Sequence, residues 1–534
     1  MFTPADMINV QGCNVSIQNF ILQNSDPDDP YTKEVWSRFV GKFEAPSISR
    51  VSLLHAKAFE EWIDHDSQLS VVKTNGLYPS DLYKVRGIIH EWMRMYRPVK
   101  DVVFTPGEHS IPSRGAVSLE AKLSRPWAVT PSCFEKFAEM VYNHKALKRA
   151  ARHKFDQQTK EIGKSMGRAG RGGKAAFFEM LANVVQFTQG SRFSTVPKNN
   201  EKRRPINIEP FGNILCQRQI GLGLRELSRK LGNDLQVGQD IHRRRIREEG
   251  ITTIDLKNAS DSVSLDLVAF LFPKWFVDIL DETRSFGVYF EDAFYVTRKI
   301  SAMGNGFTFE LMTMILLAIT RLYDEKSTVY GDDIICSDES YHKIRLLLEQ
   351  CGFIVNTKKT MHRLGRRESC GAYYIDDVGY VTAYDMRWAE NPLDAVMLVN
   401  KVYRLSIDQN STLREEFREL HRRMLGCFSK KIRGFDIGEE LPPYVIDPSL
   451  TKSALHPNSS EIKLFRQLQR EVCWPVYCLE AVNVERSKTR VHLSARQWAK
   501  YEMYLHAGRR STDHLASTRI VARRCVLGLG LLIS

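Results

Sequence analysis

The chain has 534 residues, of which 43% are hydrophobic and 26% charged, ordinary globular usage that excludes a collagen-like, mucin-like or largely disordered protein and suggests about three structural units. Lys and Arg number 76 against 63 Asp and Glu, a net charge of +13, so the surface field favours a polyanion or an anionic membrane surface. The ten cysteines are scattered without a CxxC pair, which reads as reduced thiols in a cytosol and excludes a structural zinc site of that type.

The N-terminus, MFTPADMINVQGC, lacks the basic, apolar and small-residue order of a signal peptide. The apolar stretches Leu311–Ile319 and Val526–Ile533 are too short for a bilayer core of about 30 Å. The expectation is a soluble protein that stays where it is made and has no membrane partner. The first 140 residues mix helical patterns such as Leu53–Ile63 with loops around Pro79, Pro106, Pro112 and Pro126 and carry no recognisable chemistry.

Tyr142–Lys174 holds ten Lys or Arg against two acids and ends in GRAGRGGK, whose glycines make a helix unfavourable beyond Met166. This suits either a solvated charged helix with a loop or a nucleic-acid contact. It is no Walker loop, because Arg168 stands where that motif needs Gly and Ala175 where it needs Ser or Thr. PKNNEKRRP (Pro197–Pro205) places Lys198, Lys202, Arg203 and Arg204 in an extended, Pro-bounded loop, able to hold a triphosphate or simply solvated. IHRRRIREEG (Ile241–Gly250) is a further cationic run, suited to RNA phosphates or to a solvated helix face.

From Ile251 to about Gly371 short β-prone runs alternate with helical ones and strands end at acids, an α+β arrangement. VYGDDIICS (Val329–Ser337) reads as a hairpin with Gly331 in the turn and Asp332 and Asp333 at the tip. The apolar strand after it makes the hairpin buried, and buried paired carboxylates need a cation or hydrogen bonds. Upstream, TTIDLKNASDSVS (Thr252–Ser264) ends another β-prone run at Asp255 and carries Asp261 beyond it. Two hard divalent ions acting on phosphate need about three converging acids, and Asp255, Asp332 and Asp333 supply that set. Leu413–Met424 and Ser460–Val472 have helical spacing, so the C-terminal third is expected to be a mainly helical lobe.

YGDD at Tyr330–Asp333, DLxxASDS at Asp255–Ser262 and MGNGFTFE at Met303–Glu310 resemble the replicase beta subunits of the small RNA bacteriophages, the leviviruses. TVPKNN at Thr195–Asn200 and RESCG at Arg367–Gly371 belong to the same resemblance, which covers Thr195–Gly371. It implies an RNA-directed RNA polymerase of right-hand shape: fingers and N-terminal region over residues 1–250, a palm with a small antiparallel sheet backed by helices over 251–371, and a mainly helical thumb and C-terminal region over 372–534. By this resemblance Asp255 and Asp332 are shared ligands of two magnesium ions, or manganese in their place, and Asp333 completes the metal site. Lys198 and Arg204 hold the incoming triphosphate, and Lys359, with Lys358 as the alternative, is the general acid. Asp261 or Ser260 lies near the ribose. Gly304 and Thr308 belong to a loop-then-helix segment supporting template and nucleotide; Met303 and Met312 break its usual pattern, which leaves Asn305 as the substitute sensor of the 2′-hydroxyl.

The same resemblance implies a catalytic subunit that copies a single-stranded RNA genome from ribonucleoside triphosphates without a primer. It implies template and product RNA as partners, host elongation factors Tu and Ts, a ribosomal small-subunit protein, and the cytoplasm of the infected bacterium as location. Reverse transcription and non-catalytic RNA packaging are the rival readings; Ser260 and Asp261 stand where a reverse transcriptase carries a bulky aromatic, and three retained acids disfavour a relic. If the basic runs grip the backbone, log–log plots of RNA affinity against salt should fall with a slope of about −0.7 per neutralised phosphate, and a flat response in filter-binding titrations would count against them.

Overall fold

The run ITTI (Ile251–Ile254) is buried along its whole length, as β-branched residues on a strand covered on both faces should be. It pairs antiparallel with Asp333–Ser337, which also pairs with Thr328–Tyr330, so Asp333–Ser337 is the middle strand of a three-stranded sheet. These elements belong to a computed structural model that describes residues 9–44, 47–105, 122–123, 125–161, 173–390 and 392–428, with a strand pair at Cys478–Asn483 and Thr518–Arg523. The expected helix at Ser460–Val472 and the glycine-rich stretch 162–172 lie outside the described residues.

Beneath the sheet runs helix Thr308–Arg321, buried almost throughout, which accounts for the apolar stretch Leu311–Ile319 as core rather than membrane span. Among the described residues no helix is long and apolar enough to cross a membrane. Helices Ser80–Met93, Phe211–Lys230 and Tyr341–Gln350 close the same core, through residues such as Leu82, Ile89, Leu224, Ile315, Ile334 and Leu348. Glu310, 1% exposed, is the charged exception in that core. Arg225 grips its Oε1 at 2.9 and 3.2 Å and Arg218 stands at 3.5 Å, so the buried charge is paired.

A second sheet, ordered Arg203–Ile208, Ser191–Pro197, Gly287–Phe290, Ala293–Val296, carries helix Ile48–Ser67 on one face. Phe59 of that helix stacks on Phe290 with centroids 3.8 Å apart, and Trp62 and Phe193 complete the contact. A third core gathers helices Phe134–Asn143, Lys145–Glu161 and Lys174–Val184 around Trp127 and Phe211. The basic helix Lys145–Glu161 is therefore not merely solvated: Leu147, Ala151 and Phe155 point inward, while Lys148 sits 3.4 Å over the Tyr142 ring.

The cores do not follow boundaries at residues 250 and 371. Helices Val10–Gln23 and Pro30–Val40 share a core with Pro392–Ser406 and Arg414–Leu425, so segments far apart in the chain meet. Phe20, Phe39 and Phe417 form its aromatic centre, with centroids 5.2 to 5.5 Å apart. Residues 71–96, far upstream of the expected palm, contribute Val71, Leu82, Val85 and Met93 to the core beneath the three-stranded sheet. The reason is geometric: amphipathic helices bury their apolar stripe wherever a complementary face exists, and sequence distance costs little loop entropy. Phe39→Ala should lower unfolding stability by about 3–5 kcal/mol and speed proteolysis in both 10–43 and 386–428; denaturant titration with mapped trypsin digestion checks it, and cleavage confined to one segment would separate them.

Candidate active site at the carboxylate hairpin

Tyr330 pairs with Asp333, leaving Gly331 and Asp332 as a two-residue hairpin loop. Gly331 has φ +65°, the first central position of a primed turn, where glycine is favoured because such turns match the strand twist. A Cβ there would also come within 2.6 Å of the Phe309 ring. The pairing of Ile254 with Ile334 brings Asp255, one residue beyond the first strand, and Asp333, the first residue of the second, to the same sheet end, where Asp332 in the turn feels the Asp255 carboxylate.

Asp255 is anchored: Asn356 Nδ2 donates to its Oδ2 at 2.7 Å, its own N–H donates to Thr360 Oγ1 at 3.3 Å, and its carbonyl accepts from the Asn356 N–H. Asp332 is open to solvent, yet the atoms crowding it and the Asp255 carboxylate push its pKa up, while Arg204 and Lys198 oppose this. Asp333 is pushed up to about 7 by burial, then by Glu368, then by Asp332. Glu368 is raised by burial too and by Asp255, with Lys359 acting against it. Burial is the first cause of all three shifts, and the neighbouring carboxylates add to it.

Among the described residues no three Asp, Glu, His or Cys side chains are already drawn into a closed metal cluster. The donors at the tip are nevertheless all carboxylate oxygens, and Asp332 and Asp333 are each raised in part by a neighbouring carboxylate, the set a hard divalent ion relieves. Asp255, Asp332 and Asp333 thus fit such an ion.

The basic loop becomes the turn of a hairpin in which Val196 pairs with Arg204 and Pro197 with Arg203. Arg203 donates to Thr195 Oγ1 and O at 2.6 and 2.9 Å and is spent on the hairpin itself. Arg204 and Lys198 instead bear on Asp332, and Lys198 has its ammonium pKa lowered by crowding and by Arg204 and Lys359. Of the two lysines at 358 and 359, Lys359 stands 4.0 Å from Asp255 Oδ1.

The remaining sequence-derived positions build the surroundings. Asp261 is buried, its Oδ1 accepting from Trp62 Nε1 and Lys299 Nζ, whereas Ser260 is only half-buried. Gly304 has φ +105°, and a Cβ there would strike the Asn207 carbonyl at 2.1 Å. Asn305 Oδ1 accepts from the Phe307 N–H, and the buried Thr308 hydroxyl donates to the Ala302 carbonyl. A buried hydroxyl must find a partner, so Thr308 shapes the loop from within rather than presenting its oxygen to a ligand. Sequence reasoning passed over Asn356 and Glu368. Glu368 sits inside the RESCG run already singled out, but only the packing of its strand, Arg366–Ser369, against the carboxylate sheet brings it beside Asp333.

The sequence profile of the family described as RNA replicase, beta-chain, matches residues 85–523. The RNA-directed RNA polymerase subunit beta of Escherichia virus Qbeta is 39% identical over 222 residues, which are 39% of this chain and 38% of that protein. The subunit of the same description from Enterobacteria phage SP is 39% identical over 233 residues, 41% of this chain and 40% of that one. These matches span about two fifths of the relatives' length. A crystal structure of the RNA-dependent RNA polymerase of a human picorbirnavirus aligns at 13% identity over 84% of this chain and 95% of that one, with a TM-score of 0.35, too low to carry an argument.

Behind the tip, buried His242 shares a 2.7 Å hydrogen bond with Ser369 and packs edge-on near Tyr330. Burial, aided by Arg245, lowers its pKa from 6.5 to about 3. Below pH 6.5 the unfolded chain takes up a proton that the folded one refuses, so stability falls with acidification down to the folded value. At pH 5 the loss is about 2 kcal/mol relative to pH 8; urea titrations should show His242→Phe free of this component, and an unchanged pH dependence would refute it.

Proposed function

This chain belongs to the RNA replicase beta-chain family, and from that premise we propose that it is the catalytic subunit of a phage replicase, an RNA-directed RNA polymerase that copies a single-stranded RNA genome in its bacterial host's cytoplasm. The observation that carries the reading is the strand register that brings Asp255 to the sheet end where Asp332 stands in the hairpin turn beside Asp333. Asp255 and Asp332 would hold two magnesium ions, or manganese in their place, with Asp333 alongside. Bound there, the ions supply activation of the attacking hydroxyl and charge stabilisation at the leaving oxygen.

The chain's own residues do the rest. Lys198 and Arg204 meet the triphosphate, since both already face the Asp332 carboxylate and lose that partner's full charge once it is neutralised. The 3′ hydroxyl of the growing RNA gives its proton to solvent as its oxygen bonds to the α-phosphorus, the bond to the bridging oxygen breaks, and Lys359, 4.0 Å from Asp255, gives that bridging oxygen a proton as pyrophosphate departs. Asn356 keeps the Asp255 carboxylate aimed through its 2.7 Å hydrogen bond. Half-buried Ser260, rather than Asp261, borders the ribose, with Gly304, Asn305 and Thr308 shaping the wall. A cavity of about 310 Å³, lined by Lys198, Arg203, Arg387 and Trp388 and by Glu44 and Glu390, shares Lys198 with the site.

By likeness to its family, the subunit works with host elongation factors Tu and Ts and a ribosomal small-subunit protein. Given RNA, magnesium and labelled nucleotides, with and without host extract, the protein should incorporate ribonucleotides; deoxyribonucleotide incorporation alone would make it a reverse transcriptase, and neither would refute polymerase chemistry. Asp332→Asn should cut single-nucleotide addition at least about a hundredfold, on the order of 3 kcal/mol of barrier, with RNA binding retained in gel-shift titrations.

A further inference from the structure

Lys299 is the most deeply buried ammonium near the site, 1% exposed. Its Nζ lies 3.2 Å from Asp261 Oδ1, 3.7 Å from Asp66 Oδ1 and 3.7 Å above the Trp62 ring. Asp66 also accepts the backbone N–H groups of Arg298 and Lys299 at 2.8 and 3.1 Å, and Trp62 Nε1 donates to Asp261 at 2.7 Å. His65 shares a hydrogen bond with Ser262 at 3.1 Å. Three segments distant in sequence thus converge on one cation: helix Ile48–Ser67, the loop from Asp255 to Ser262, and the segment that leads from Lys299 into the Gly304 loop.

Stability alone does not call for this arrangement, because well-packed apolar side chains in place of a buried ion cluster are often no less stable. What a charged cluster adds is geometry: one ammonium satisfies two carboxylates only if all three backbones hold their relative positions. The loop it secures needs such help. Asn258 has a left-handed φ of +50°, unfavourable for a side-chain-bearing residue, and Ser260 lies on the short turn Ala259–Asp261 between that strained residue and the anchored Asp261.

We infer that Lys299 is a positioning residue for nucleotide selection: by holding Asp261 against Asp66 and Trp62 it fixes the Asp255–Ser262 loop so that Ser260, and not Asp261, borders the incoming ribose. This rests on the polymerase reading. Asp261 then acts through the loop, with its Oδ1 committed to Trp62 and Lys299.

The test compares wild-type full-length chain, Lys299→Met, Asp261→Asn and their double variant in single-nucleotide addition, scored with ribo- and deoxyribonucleoside triphosphates, alongside hydrogen exchange. Lys299→Met should raise KM for every ribonucleotide on the order of tenfold or more, as misplaced binding groups do, with kcat changed far less. Ribose discrimination should weaken alike in Lys299→Met and Asp261→Asn, and the double variant should be no worse than the poorer single one, since both cut the same tie. Amide exchange should quicken over 256–263 in Lys299→Met. Loss of ribose discrimination in Asp261→Asn but not in Lys299→Met would make Asp261 itself the sensor and overturn the inference, as would unchanged KM and exchange in Lys299→Met. If that variant does not fold, Trp62→Phe removes only the indole donor and should show the same KM and exchange shifts in milder form; unaltered values there refute the tie. A wild-type chain that adds no nucleotide would sink the polymerase reading, while the exchange comparison still judges the tie.

Discussion

The pairing of Ile251–Ile254 with Asp333–Ser337 brings together carboxylates from segments 77 residues apart in the chain, Asp255 and Asp332. Antiparallel register permits no half measures: a slip of one residue would turn every side chain of one strand to the other face. Buried Ile254, Ile334 and Ile335 on these strands make such a slip expensive, so hydrophobic burial below the tip is what holds like charges together above it. The sheet end tolerates that repulsion because folding energy is spent in the core and not at the site.

Charge is then balanced from outside the sheet. Lys198 and Arg204 reach in from the hairpin of the second sheet, and Lys359 from the loop after Ile354–Val355. All three remain accessible, whereas Lys299 and Glu310 are sealed in with partners of opposite sign. The contrast separates two uses of charge. Exposed cations around an anionic hairpin tip attract and exchange ligands, and buried pairs hold backbone segments in one arrangement.

The N-terminal residues illustrate why chain order is a poor guide to layering. Helix Ser80–Met93 lies in the core beneath the carboxylates, helix Ile48–Ser67 braces the loop after Asp255, and helices Val10–Gln23 and Pro30–Val40 join the helices beyond residue 391. None of these helices carries a motif of its own. Their contribution is apolar area and a few polar anchors, Trp62 and Asp66 above all.

Local chemistry was readable from residue order alone. The hairpin at Gly331 and Asp332, the buried helix around Leu311–Ile319, and the acidic trio with its basic loop follow from turn preference, hydrophobic run length and the needs of phosphate chemistry, all properties of neighbouring residues. Everything requiring distant segments to meet was decided by packing: that Glu368 and Asn356 stand at the site, that Lys359 rather than Lys358 lies by Asp255, that Thr308 and Asp261 spend their polar atoms internally, and that the chain's first helices share a core with residues 386–428. The physical reason is that a side chain's partner is chosen by burial and complementarity over the whole fold, and sequence spacing carries no record of which surfaces will be pressed together.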